Sequence, residues 1–166
     1  MEKTAEEVLK TAILLEHRGR AFYSTAARET RSEAVREFFT MMAEEEGRHI
    51  EFLSGQFAEF TKSGKFGPGT LETPGQDASA AAILSEKIQK EISAAGFEAA
   101  AISAAIGFEN RAVEIYQQRA SSAADPHERS AYQALADWER THIHMLHRID
   151  EDLRRQVWQD NNFWPF

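Results

Sequence analysis

A glutamate followed thirty residues later by Glu-x-x-His occurs twice in this chain, as Glu16 with Glu46 and His49 and as Glu109 with Glu139 and His142. All three residues are displaced by the same 93 positions: Glu16 to Glu109, Glu46 to Glu139, His49 to His142. Residues 12–53 lie over 105–146 without a gap. Ala12/Ala105, Ile13/Ile106, Arg18/Arg111, Tyr23/Tyr116, Ala27/Ala120, Arg36/Arg129, Ala43/Ala136, Ile50/Ile143 and Leu53/Leu146 coincide in frame. Such a chain is two copies of one unit. A pseudo-twofold axis between them would make the two motifs face each other.

The unit reads as a helical hairpin. A first helix is expected over Thr4–Glu29, where Thr4 with Glu7 forms a capping box and Val8, Ala12, Leu15, Gly19, Phe22 and Ala26 recur at spacings of three and four. After a break at Thr30–Ser32, with Ser32 as N-cap, a second stripe (Val35, Phe38, Phe39, Met42, Ala43, Ile50, Leu53, Phe57) runs to about Thr61. In the second copy a helix is expected over Phe97–Ser121. Asp125-Pro126 then supplies an N-cap and a first-turn proline for a helix over Pro126–Trp158. Between the hairpins, Ser63–Asp77 is rich in glycine and proline and long enough to return along the bundle. Residues Ala78–Ala95 carry Ala80, Ile83, Leu84, Ile88 and Ile92 on one side, as a short extra helix would. The expectation is an all-α four-helix bundle of two hairpins joined by a long crossover. One domain covers residues 1–158, followed by a short aromatic tail, 159–166.

Residues three apart on a helix share a face, so Glu46 points with His49 and Glu139 with His142. That face also carries Ala43, Ile50 and Leu53, and in the second copy Ala136, Ile143 and Leu146. The glutamates therefore sit within the apolar stripe. Each ionised carboxylate buried without a partner costs several kcal/mol. Two divalent metals would cancel four such charges, with two neutral imidazoles completing the set. This makes Glu16, Glu46, His49, Glu109, Glu139 and His142 candidate ligands of a dinuclear site. Oxygen and imidazole donors suit iron or manganese. A single Glu-x-x-His on a helix is common and says little; the weight lies in its repetition with an upstream glutamate. Tyr23 and Tyr116 lie two turns after Glu16 and Glu109, on the same faces. They are either hydroxyl donors that orient a ligand carboxylate or ordinary core tyrosines. His17, His127, His144 and His147 read as solvated or interface residues. Glu44, Glu45 and Asp137 read as a solvated face, and Met41, Met42 and Met145 as core.

Composition removes other classes. With no cysteine among 166 residues, disulfides, zinc ribbons, iron–sulfur clusters and thiol catalysis are excluded within this chain. A net charge of −8 argues against nucleic acid. No run of about 18 apolar residues is present, so no membrane span is expected. The polar start has no apolar signal core, so a cytoplasmic location is expected.

The segments Leu15-Glu16…Tyr23, Glu45-Glu46-Gly47-Arg48-His49, Phe108-Glu109…Tyr116 and Trp138-Glu139-Arg140-Thr141-His142 resemble the ferritin-like superfamily, and within it the rubrerythrin-like branch, over Thr4 to about Arg155. The resemblance implies a ferritin-like bundle in which Glu46 and Glu139 bridge two iron ions. Glu16 and Glu109 would be terminal ligands, and His49 and His142 would bind one iron each. Two departures are visible. The rubredoxin domain of full rubrerythrins carries four cysteines, and this chain has none. The family's additional iron-binding glutamate, one turn after the third-helix ligand, is here Ala112. The symmetric set of four glutamates and two histidines looks more like bacterioferritin.

The function expected is a non-haem di-iron redox protein reducing H2O2 or O2 with an external electron donor, as a homodimer. Ferroxidase or iron storage, and a manganese catalase-like activity, are the alternatives. The aromatic tail (Trp158, Phe163, Trp164, Phe166) raises a further reading as an interaction module, against the simpler one that it packs on its own bundle or on a second copy.

Overall fold

The computed structural model describes residues 4–69, 71, 84, 86–88, 90–92 and 96–160, with backbone alone at 156–160. Four long helices organise them: α1 Ala5–Glu29, α2 Glu33–Ser63, α3 Phe97–Ser122 and α4 Pro126–Asp160. No strand occurs among the described residues. Three of the four begin where a side chain satisfies the first free N–H groups, while α3 starts at Gly96 without a side-chain cap. Thr4 and Glu7 form the expected reciprocal cap (Thr4 N–H to Glu7, 2.8 Å; Glu7 N–H to Thr4 Oγ1, 3.2 Å). The Ser32 hydroxyl accepts from Val35 N–H at 3.1 Å, and Asp125 accepts from His127 N–H at 2.8 Å. The second helix ends at Gly64, whose φ of 70° is left-handed backbone that glycine adopts at no steric cost.

The helices pair as two hairpins, α1 on α2 and α3 on α4. Two apolar clusters fill the bundle, one toward each end. The first joins Tyr23 and Ala26 of α1, Val35, Phe38, Phe39 and Met42 of α2, Ala101, Ile102 and Ala105 of α3, and Leu146, Ile149 and Leu153 of α4. The second joins Val8, Leu9 and Ala12, then Leu53, then Ala112, Tyr116 and Ala120, then Tyr132, Leu135 and Ala136. Each cluster takes the late half of one hairpin's first helix and the early half of the other's, so α1 and α3 run antiparallel. Shifting residues by 93 carries one cluster onto the other: Phe39 becomes Tyr132, Met42 becomes Leu135, and Leu53 becomes Leu146. The aromatic packing repeats too. Tyr23 stacks on Phe39 with ring centroids 5.8 Å apart, and Tyr116 on Tyr132 at 5.9 Å.

The links between hairpins are fastened at several points. Phe66 is buried against Phe60 and Tyr132, and its N–H donates to Asp125 at 3.2 Å. Gly67 N–H donates to Gln56 Oε1 at 3.0 Å. Of the expected extra helix, Leu84, Glu86–Ile88, Lys90 and Glu91 are helical, and Ile88 and Ile92 enter the first cluster. Glu91 accepts from the Ser32 hydroxyl at 2.6 Å and from Ala34 N–H at 3.1 Å, which places a carboxylate at the start of α2. Most of Ser63–Asp77 beyond Gly69, and the aromatic tail from Asn161, lie outside the described residues.

Phe39 is fully buried and carries the stacking contact that fixes the Tyr23 ring. Phe39→Ala is expected to cost about 3–5 kcal/mol, read as a lower urea midpoint at unchanged m-value.

Candidate metal centre

Between the two apolar clusters lies a polar layer. Glu16, Glu46, His49, Glu109, Glu139 and His142 are each at most 1% exposed. The helices deliver them in the manner the spacing predicts: one glutamate each from α1 and α3, and a Glu-x-x-His pair each from α2 and α4. Two overlapping sets of atoms result, each within 4.8 Å of one another: Glu16, Glu46, His49 and Glu139; and Glu46, Glu109, Glu139 and His142. Glu46 and Glu139 belong to both. Both imidazoles turn Nδ1 inward. His49 Nδ1 lies 3.0 Å from Glu139 Oε1 and 3.2 Å from Glu16 Oε2; His142 Nδ1 lies 2.9 Å from Glu139 Oε2 and 3.6 Å from Glu109 Oε1.

Proximity is only partly matched by hydrogen bonding. Both oxygens of Glu46, both oxygens of Glu139, Glu109 Oε2 and His142 Nδ1 are buried with no hydrogen-bond partner. The approaches of both imidazoles to Glu139 thus have the distances of hydrogen bonds without their directions, whereas His49 Nδ1 does pair with Glu16 Oε2 at 3.2 Å. Atoms aimed at a shared point between them, rather than at each other, have this geometry. Buried polar atoms are nearly always satisfied in native proteins, so an unpartnered group of this size calls for an occupant. Four carboxylates and two imidazole nitrogens fit two divalent cations in donor type and in charge.

The tyrosines contribute across the repeat rather than within it. Tyr23 donates to Glu109 Oε1, and Tyr116 donates to Glu16 Oε1. Sequence spacing puts each tyrosine on the face of its own helix's glutamate. Seven residues rise about 10 Å, however, which is beyond a phenol's reach. The antiparallel crossing of α1 and α3 brings the other copy's glutamate opposite instead. Each hairpin thereby holds the other's carboxylate.

One expectation is overturned. Glu45 is not on a solvated face: it is 7% exposed, and its Oε2 accepts from Trp138 Nε1–H at 3.0 Å and lies 2.5 Å from His142 Nε2. The helical wheel turns Glu45 about 100° from Glu46, but α4 covers that side. A signal for this was present in the repeat: 93 residues after Glu45 stands Trp138. A large apolar residue at the equivalent position marks the face as buried. His17, His127, His144 and His147 are exposed, as expected. Met42 is fully buried, and Met41 and Met145 are partly buried against the same cluster.

Gly19 is the tightest point of the wall. A Cβ there would meet Phe108 Cε1 at 2.9 Å and the Glu46 carboxyl carbon at 3.1 Å. Its counterpart in the second copy is Ala112, buried in the second cluster.

Without metal, the charges conflict. Burial, then the neighbouring carboxylates, pushes Glu16 and Glu46 well above the ordinary glutamate value, and pushes Glu109 up to about 7. Burial would lower the imidazoles, but Glu139 and its neighbours hold His49 up. The carboxylates of Glu109, Glu139 and Glu45 that surround it hold His142 further up. Glu139 departs from its counterpart Glu46. Burial would raise it, yet it alone sits between both imidazoles, and these hold it down. Burial likewise opposes the Glu45 charge, but His142 and Trp138 outweigh it and Glu45 stays below the usual range.

A four-helix bundle with a buried carboxylate–histidine cluster of this composition defines the class of dinuclear carboxylate metalloproteins. The chain belongs to the rubrerythrin family, whose family model matches residues 7–149. No curated protein and no solved structure matches it. No helix among the described residues is long and apolar enough to cross a membrane.

Two predictions follow from the packing and the charge. Gly19→Ala forces the Glu46 carboxylate or Phe108 aside and should weaken metal binding about tenfold in a titration monitored by calorimetry, while helicity by circular dichroism is retained. The second concerns pH. Glu16, Glu46 and Glu109, and both imidazoles, bind protons more tightly folded than unfolded. They therefore contribute stability at low pH that is lost as pH rises through their folded values. Metal-free protein should melt at progressively lower temperature from about pH 5 to about pH 8, whereas metal-loaded protein should not; a parallel rise for both would contradict the charge assignment.

Proposed function

We propose that the chain is a non-haem di-iron redox protein that reduces H2O2 or O2 at the buried site between its hairpins. The observation that carries the proposal is the polar layer of four carboxylates and two inward-turned imidazole nitrogens, with its unpartnered oxygens, in a member of the rubrerythrin family. Glu46 and Glu139, common to both sets, would bridge the two metals. Glu16 and His49 would complete one position, Glu109 and His142 the other. Bound iron would supply two electrons to the oxidant, replenished by an external donor.

The chain's own residues would do the rest. The Tyr23 and Tyr116 hydroxyls fix Glu109 and Glu16 in one orientation and each presents one proton at the edge of the site. Glu45 holds His142 from behind. The two apolar clusters close the layer above and below and keep bulk water from the acidic oxygens. Loading displaces the protons that the carboxyls and imidazoles hold in the metal-free state, so uptake of metal should release protons.

Anaerobic titration with iron(II), followed by stopped-flow mixing with O2 and with H2O2, tests the reading. Two irons per chain, oxidised faster by peroxide than by oxygen, and equal sensitivity to Glu46→Ala and Glu139→Ala are expected. Fewer than one iron or manganese per chain after reconstitution would end it. The donor set also suits manganese. Oxygen evolution from H2O2 without reductant would move the assignment to a catalase-like enzyme, and a large hollow shell by size-exclusion chromatography would move it to storage.

A further inference from the structure

The polar layer is nearly twofold symmetric, and besides the placement of Glu139 between both imidazoles it departs from symmetry at one buried pair. Position 45 in the first copy is glutamate, and the equivalent position 138 in the second is tryptophan. The two meet across the bundle, where Trp138 Nε1–H donates to Glu45 Oε2 at 3.0 Å. The same oxygen lies 2.5 Å from His142 Nε2. His49, the partner of His142 under the pseudo-twofold, has no such acceptor. Its Nε2 is buried without a hydrogen-bond partner, and its ring meets Trp138 edge-to-face at 4.8 Å. The two rings stack 5.9 Å apart and both turn Nδ1 into the site, where His49 Nδ1 pairs with Glu16 Oε2 at 3.2 Å and His142 Nδ1 has no hydrogen-bond partner.

This difference acts on ligand quality. An acceptor behind Nε2 fixes the proton there, so the neutral His142 ring presents the Nδ1 lone pair to the site in the required tautomer and orientation. A carboxylate acceptor also makes that lone pair a stronger donor. His49 receives neither help, since its Nε2 has no hydrogen-bond acceptor. Glu45 adds a negative charge next to His142, beyond the four carboxylates of the layer.

We infer that Glu45 makes the two metal positions unequal, with the position of Glu109 and His142 the tighter one, filled before that of Glu16 and His49. Glu45 is a positioning residue here: it acts through His142. The inference rests on the metal-centre reading given above, but it concerns relative affinity and needs no turnover.

The test is anaerobic calorimetric titration with cobalt(II), whose visible spectrum also reports ligand geometry. His49→Ala leaves the His142 position intact, and His142→Ala leaves the His49 position. The expected result is that His49→Ala binds cobalt at least about tenfold more tightly than His142→Ala. Adding Glu45→Leu should abolish that advantage in the His49→Ala background and change nothing in the His142→Ala background. Glu45→Gln, which keeps a neutral acceptor, should fall between, and circular dichroism and melting of the metal-free variants check that each folds. Equal affinities of the two single-histidine variants, an equal loss from Glu45→Leu in both backgrounds, or binding only as an inseparable pair would each overturn the inference. Absence of cobalt binding by the unsubstituted protein would instead overturn the metal centre itself.

Discussion

Mutual repulsion among Glu16, Glu46, Glu109 and Glu139 is the constraint on which the rest of this bundle depends. All four are out of water, and Glu46 and Glu139 each lie within a few ångströms of both Glu16 and Glu109. A hydrophobic core alone gives no reason to keep them there, since each isolated charge costs several kcal/mol to bury. The bundle tolerates them in two ways. Protons retained on the carboxyls and imidazoles lower the charge when no cation is present, and bound divalent cations would cancel it. Stability and metal uptake are therefore two readings of one electrostatic balance.

The apolar clusters on either side are what make that balance consequential. They interdigitate Tyr23 with Phe39 and Tyr116 with Tyr132, and they hold the two hydroxyls within reach of the carboxylates of the opposite hairpin. Neither hairpin can complete the polar layer alone. Each supplies two glutamates, an imidazole, and the phenol that holds a carboxylate of the other.

Much of this was legible in the residues. Helix starts are local events, and Thr4 with Glu7, Ser32, and Asp125-Pro126 announce them within four residues. The six acidic and imidazole side chains were legible because helical periodicity fixes faces and the duplication fixes which faces meet. What periodicity could not supply was the direction of crossing. The tyrosines' partners depend on α1 and α3 running antiparallel, which no local pattern states. The burial of Glu45 escapes the helical wheel for the same reason: it comes from α4 lying over it, a contact between residues 93 apart in sequence. The in-frame match of Glu45 with Trp138 carried that information, but only as a mismatch in chemistry.

That mismatch has a consequence for what a single covalent chain allows. Two identical hairpins assembled around a true twofold axis would carry glutamate at both such positions, or tryptophan at both. Two glutamates would crowd two further charges behind the histidines, and two tryptophans would leave both imidazoles without an acceptor. Joining the hairpins through the crossover lets one half differ from the other while the scaffold stays symmetric. The linker between α2 and α3 is thus more than a connection: it is what permits one glutamate and one tryptophan to form a pair at all.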